Sequence, residues 1–262
     1  MAKIRIAVQL HPQQSEYSAI REAALRYDEA GVDIIYNWDH FFPLYGDPHG
    51  AHFECWTMLA SLAEVTRRAE IGALVTCNSY RNPQLLADMA RTVDHISDGR
   101  LILGIGSGWY RRDYDEYGYE FGTAASRLRD LDANLPLIKD RLAKLNPPPI
   151  REIPILVGGG GEKVTLRITA QHADAWHGYG KPKVIARKNQ ILDTWCAKVG
   201  RDPSAIERAC GIRTGSDPSR GSRYVDAGAT QLAFGLNGPD YQMPHVADWI
   251  AWRDDQNKGP AR

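Results

Sequence analysis

The chain has 262 residues, 43% hydrophobic and 24% charged, with 32 Lys and Arg offset by 32 Asp and Glu. This is the composition of a folded globule, and it excludes disordered and fibrous classes. Zero net charge argues against nucleic acid or a membrane surface as partner.

Eight apolar runs alternate with longer segments of helical period. The first strand is predicted over residues 4–10. Ile20, Ala24, Tyr27 and Ala30 then recur at helical spacing before Gly31, a natural left-handed stop. A second strand is predicted over 33–38 and a third over 70–77. Asn82 and Pro83 read as an N-cap and first-turn proline, with Leu85, Leu86, Met89, Val93 and Ile96 along one helix face. The fourth strand, 100–106, is followed by a helix carrying Leu128, Leu131, Leu135, Ile138 and Leu142, which Pro136 is expected to kink. Strands over 154–157 and 173–178 come next, then a helix with Val184, Ile191, Trp195 and Val199. The last two strands are predicted over 206–213 and 230–236, and Pro244 is expected to open a final helix with Val246, Trp249 and Ile250.

Most of these strands are apolar throughout, as parallel strands buried on both faces are. Alternating strands and helices predict right-handed crossovers, so one (β/α)8 TIM barrel over residues 1–262 fits best, ahead of a doubly wound open sheet. No apolar run approaches the roughly 18 residues of a membrane span, and the start leads straight into a strand with no signal peptide. The scattered Cys55, Cys77, Cys196 and Cys210 read as reduced thiols, and a cytoplasmic location is expected.

A barrel keeps its chemistry in the loops that follow its strands. There the sequence places His11 and Gln13, then Asp39 and His40, Thr76 and Asn78, Gly106 to Trp109, Gly158 to Gly161, and His177 with Tyr179. In Gly104-Ile105-Gly106-Ser107-Gly108 the third glycine of a dinucleotide fingerprint would fall on Trp109, so that reading fails on spacing. Gly158-Gly159-Gly160-Gly161 joins a strand to a helix, where bare N–H groups can cradle an anion. Residues 151–190 hold seven basic side chains to three acidic, and residues 28–70 two to eight, so a neutral total hides a polarised chain. His11, His40 and His177 on one rim raise the alternative of a metal-dependent TIM-barrel hydrolase, but no ligand spacing supports a metal. His49 and His52 read as surface or lid residues.

Four ordered motifs carry a resemblance: Asn37-Trp38-Asp39-His40-Phe41-Phe42-Pro43; Leu74-Val75-Thr76-Cys77-Asn78-Ser79-Tyr80-Arg81-Asn82-Pro83; Ile96 through Trp109 with Tyr117 to Phe121; and Ile153 to Gly161 with Ala173-Asp174. Together they resemble the luciferase-like monooxygenase superfamily, in its branch dependent on the deazaflavin coenzyme F420. The resemblance implies a bacterial luciferase-like barrel, an F420-dependent oxidoreductase that passes hydride between the deazaflavin and a small organic substrate. The alternative within the superfamily is an FMN-dependent monooxygenase. It also implies that Asp39 contacts the ring, that His40 faces its reactive carbon as general acid or base, and that Thr76 and Asn78 lie beside the ring or its polyol. Ser107 and Gly108 would border the polyol, and Gly159, Gly160 and Gly161 would hold the phosphate. A non-proline cis peptide, here Ala73-Leu74, would back the ring. Members of the family often dimerise, so a homodimer is a further expectation. Sugar-phosphate dehydrogenases of the family carry a glutamate where this chain has Trp109, and the resemblance thins after Ile212.

Overall fold

The computed structural model describes residues 3–258. Its elements run β1 (Arg5–Leu10), α1 (Tyr17–Ala30), β2 (Ile34–Asn37), α2 (Cys55–Val65), β3 (Glu70–Ala73), β4 (Thr76–Cys77) and α3 (Pro83–Ile96). They continue with β5 (Leu101–Gly106), α4 (Arg111–Tyr117), α5 (Ala124–Leu142), β6 (Ile155–Gly158), α6 (Thr165–His172), β7 (Ala175–Gly178) and α7 (Pro182–Val199). The last are β8 (Glu207–Ile212), α8 (Gly221–Asp226), β9 (Gln231–Leu236) and α9 (Val246–Asn257). Every strand pairing is parallel; β9 returns to β1, and β3 and β4 both pair with β5. That closes a (β/α)8 barrel in which β3 and β4 together fill the third position.

The break in the third strand falls at a cis peptide bond between Leu74 and Val75, one residue later than the expected Ala73-Leu74. The reason is visible in the ladder: the Leu74 N–H still donates to the Asn37 carbonyl of β2 at 2.8 Å, so the chain leaves the sheet only after Leu74. Val75 then turns into the barrel. A Cβ added at Gly106 or Gly158 would lie 2.8 or 2.7 Å from its side chain, so the glycines form the socket that seats Val75.

Inside the barrel Ala7, Ala175 and Ala233 alternate with Ile34, Tyr36, Ile102 and Leu156 to form one buried layer. Small and large residues opposite one another fill a tapered interior. The N-terminal end is plugged by Arg5, which bridges Glu70 and Glu207. Outward-facing residues of the same strands pack on the helices in two apolar clusters. The Asn82 side chain accepts the Gln84 N–H at 2.9 Å to cap α3, with Pro83 at its first turn, and Gly31 stops α1 at φ 99°. Helix α5 runs through Pro136 as one 19-residue helix. Helix α9 starts at Val246 instead of Pro244, because His245 takes a left-handed φ of 64°. Among the described residues no helix is long and apolar enough to cross a membrane.

Candidate functional site

The strand C-termini enclose a cavity of about 750 Å³, toward the upper end of the range for small-molecule sites. His40 lines it from the end of β2. Its Nδ1 lies 2.6 Å from Oδ2 of Asp113, a fully buried residue in the first turn of α4. The Asp113 carboxylate also accepts the Phe41 N–H at 3.0 Å and the Tyr80 hydroxyl at 2.9 Å. A carboxylate only accepts, so the imidazole proton sits on Nδ1 and Nε2 is the nitrogen left for a ligand. Trp38, Trp109 and Tyr110 stand edge-on around the ring at 5.5 to 5.7 Å and fix its plane. The sequence reading missed Asp113. Its only signal is an acid among the first residues of a short helix, 73 positions from its partner, and nothing in that separation announces contact.

Asp39 also lines the cavity, but its carboxylate is committed to the protein. Arg81 grips it with both terminal nitrogens, at 2.6 and 3.0 Å, and the Cys77 N–H donates at 2.9 Å. Burial alone would lower the Arg81 guanidinium, yet Asp39 and Glu54 hold it above its ordinary value. This buried fork anchors the β4 turn to the end of β2, so the Asp39 side chain has little left to offer a ring.

Leu74 and Thr76 line the cavity; Thr76 accepts the Trp56 indole N–H at 3.2 Å. Ala73 faces the helices instead, one residue out of phase with Leu74, and packs with Ile71 and Leu103. Asn78 is buried away from the cavity, where its side-chain oxygen accepts from Asn134 at 3.2 Å. The structure therefore removes Ala73 and Asn78 from the expected wall. Ser107 and Gly108 line the cavity.

Gly159 and Gly160 line the far end, whereas Gly161 folds against Thr165 outside the lining. Thr165 and Lys188 join them there, neither foreseen from the sequence. The Lys188 amine donates to the Gly160 carbonyl and lies 3.6 Å from Glu162. Helix α6 starts beside these glycines with no side-chain cap on its first N–H groups. The Gly159 N–H is given to the His177 carbonyl at 3.0 Å, which leaves the Gly160 amide, the uncapped start of α6 and the lysine as a cradle suited to an anionic group.

Three histidines near the cavity are held neutral. Burial lowers His11, His52 and His177 from 6.5 to about 4. His11 stacks on Trp38 at 4.1 Å with Asn237 on its Nδ1 at 2.9 Å, and His52 Nε2 accepts the Trp38 indole N–H at 3.1 Å. His177 is 3% exposed and its buried Nε2 has no partner. His52 is thus half-buried packing behind Trp38, and His49 is exposed. The unfolded chain takes up protons as pH falls through 6.5, whereas the folded chain refuses them until about 4. Stability from these groups is complete above 6.5 and is lost on acidification toward 4, by up to about 1.4 kcal/mol per histidine per pH unit. Urea midpoints measured from pH 7 downward are expected to fall across that window, and less steeply in His177→Gln; a flat profile contradicts neutral burial. Among the described residues no group of three or more His, Cys, Asp or Glu could hold a metal ion.

A closed parallel barrel with a large chamber at its strand C-termini, a carboxylate-backed histidine and a glycine cradle defines a cofactor-sized α/β-barrel site. The model of the luciferase-like monooxygenase family matches residues 1–257, and the chain belongs to that family. An uncharacterized protein of Mycobacterium tuberculosis is 26% identical over 209 residues, covering 74% of this chain and 73% of that one. The F420-dependent glucose-6-phosphate dehydrogenase of Amycolatopsis mediterranei is 29% identical over 162 residues, covering 55% of this chain and 48% of that enzyme. The solved structure of an F420-dependent secondary alcohol dehydrogenase in complex with an F420–acetone adduct superposes with a TM-score of 0.83, covering 95% of this chain and 97% of that one. At 17% identity, that likeness speaks to the fold alone.

Proposed function

We propose that this enzyme of the luciferase-like family is an F420-dependent oxidoreductase acting on a small uncharged organic substrate. The observation that carries the reading is one chamber holding both the His40–Asp113 pair and, at its far end, the cradle of Gly159, Gly160, Thr165 and Lys188. The residues present fit an elongated cofactor with an anionic tail: Gly159 and Gly160 leave room that a side chain would fill, and a Cβ at Gly160 would meet the Lys188 amine at 3.0 Å. Leu74, Val75 and Thr76 would support the ring, and Ser107 and Gly108 would border the chain between ring and phosphate. Bound deazaflavin supplies hydride transfer at a single ring carbon.

The protein's own part is positioning and proton management. His40 Nε2 takes a proton from the substrate oxygen when the ring is neutral and returns one from the imidazolium, and the buried Asp113 carboxylate fixes the ring and compensates that positive charge. The aromatic collar of Trp38, Trp109 and Tyr110 holds the nitrogen in one direction. Trp109 stands where sugar-phosphate dehydrogenases of the family carry a glutamate, so proton handling falls on His40.

Titration of the purified protein with F420 and with FMN, followed by fluorescence, tests the reading. Saturable F420 binding with weak or absent FMN binding is expected; tight FMN binding without F420 binding overturns it in favour of a flavin monooxygenase. Gly160→Val should weaken F420 binding about tenfold by displacing Lys188 and filling the cradle. An unchanged dissociation constant would remove the phosphate from this loop.

A further inference from the structure

The outer part of the chamber is a different chemical environment from the glycine end. Its mouth carries three large aromatic side chains from three separate loops: Tyr45, Trp109 and Tyr179 are 59%, 63% and 67% exposed. Exposed rings gathered at one cavity mouth are not the scattered apolar residues of an ordinary surface. Below them, His11 and Trp38 stack on each other at 4.1 Å with an interplanar angle of 17°, so each covers one face of the other. Tyr45 stands beside that stack, with its centroid 6.2 Å from His11 and 6.1 Å from Trp38. Tyr179 stands edge-on to His177 at 4.8 Å.

The wall also lacks a free charge. The ionisable side chains that line it with a permanent charge are Asp39 and Lys188. The first is gripped by Arg81, and the second lies at the glycine end, bonded to the Gly160 carbonyl, and not in the outer part. His11 and His177 stay neutral because they are buried. A carboxylate or phosphate taken into this part would lose its hydration without gaining a counter-ion, a cost no contact there offsets. A planar uncharged molecule meets ring faces and edges on several sides, which is how aromatic groups pack best.

We infer that the outer chamber binds an uncharged, planar aromatic carbonyl compound, held among the exposed rings of Tyr45, Trp109 and Tyr179 at its mouth. That this compound is the substrate rests on the hydride-transfer reading above; that it binds does not.

The test is isothermal titration calorimetry of the full-length protein, with and without F420, using acetonaphthone, its carboxylated derivative and an aliphatic ketone of similar size. Acetonaphthone is expected to bind at least tenfold more tightly than either of the others. Tyr45→Ala should weaken it about fivefold, and Tyr45→Phe should restore the affinity. Equal binding of the carboxylate, equal binding of the aliphatic ketone, or an unaltered affinity in Tyr45→Ala overturns the inference. F420 titrated into the same samples separates the two readings: acetonaphthone binding without F420 binding defeats the proposed function and leaves the aromatic site standing, and the reverse result does the opposite.

Discussion

His40→Ala is expected to lower kcat for reduced-F420 oxidation by about a thousandfold while changing the F420 dissociation constant by less than about threefold. General acid–base groups contribute roughly 10² to 10⁴ in rate. The aromatic collar and the Asp113 hydrogen bond show that the protein spends several side chains on holding this one imidazole. Asp113→Asn should cost about thirtyfold in kcat with little change in KM, since an amide can still touch Nδ1 but cannot compensate an imidazolium. Because the two residues act as one unit, the double variant should be no slower than His40→Ala alone. Circular dichroism must show Asp113→Asn folded, because its carboxylate also holds the Phe41 N–H and the Tyr80 hydroxyl. An unchanged kcat in His40→Ala, or additive losses in the double variant, contradicts the assignment.

Gly104→Ala is expected to be the most damaging single methyl in the barrel. A Cβ there would sit 1.9 Å from the Ala73 carbonyl oxygen, a backbone atom that cannot swing aside. Relief requires β3 and β5 to part where β4 begins, with Val75 displaced from its socket. Overpacking of this kind costs about 3 kcal/mol or more, which for a chain of this size corresponds to a fall in Tm of roughly 6 to 12 °C. Gly200→Ala is the control. It sits at the left-handed end of α7, φ 72°, with open space around it, so only the backbone preference is lost, about 1 kcal/mol. Urea unfolding of both should show Gly104→Ala far the worse. Comparable losses would mean that crowding at Gly104 is relieved cheaply, and the glycine socket would lose its explanation.

Much of the architecture was legible in the chain. The eight predicted strands match observed ones within two residues at nearly every end, because each is an apolar run between clear stops, as at Gly31 and Asn82-Pro83. The ordered motifs placed Asp39, His40, Thr76, Ser107, Gly108, Gly159 and Gly160 on one chamber. Phase was less legible. Ala73 and Leu74 are neighbours in sequence, yet one faces helices and the other the cavity, and only the Leu74 hydrogen bond to β2 shows where the strand ends. Helices α2, α6 and α8 carry short or nearly uniform apolar patterns that a period cannot resolve.

Charge shows the division most clearly. A neutral total, an acidic early segment, a basic stretch near the glycine loop and the alternation that makes a parallel barrel can all be read along the chain. These follow from local composition and period, which each segment carries alone. What the charges do depends on how the folded barrel pairs them. Arg187 and Lys188 meet Glu162, Arg167 meets Asp132, Arg151 meets Glu70 and Asp39 is taken by Arg81, so much of the apparent excess is already paired. Asp113 reaches His40 because barrel closure sets the end of β2 beside the loop after β5. Such contacts join residues dozens of positions apart and depend on the ring of strands closing, so no local pattern encodes them.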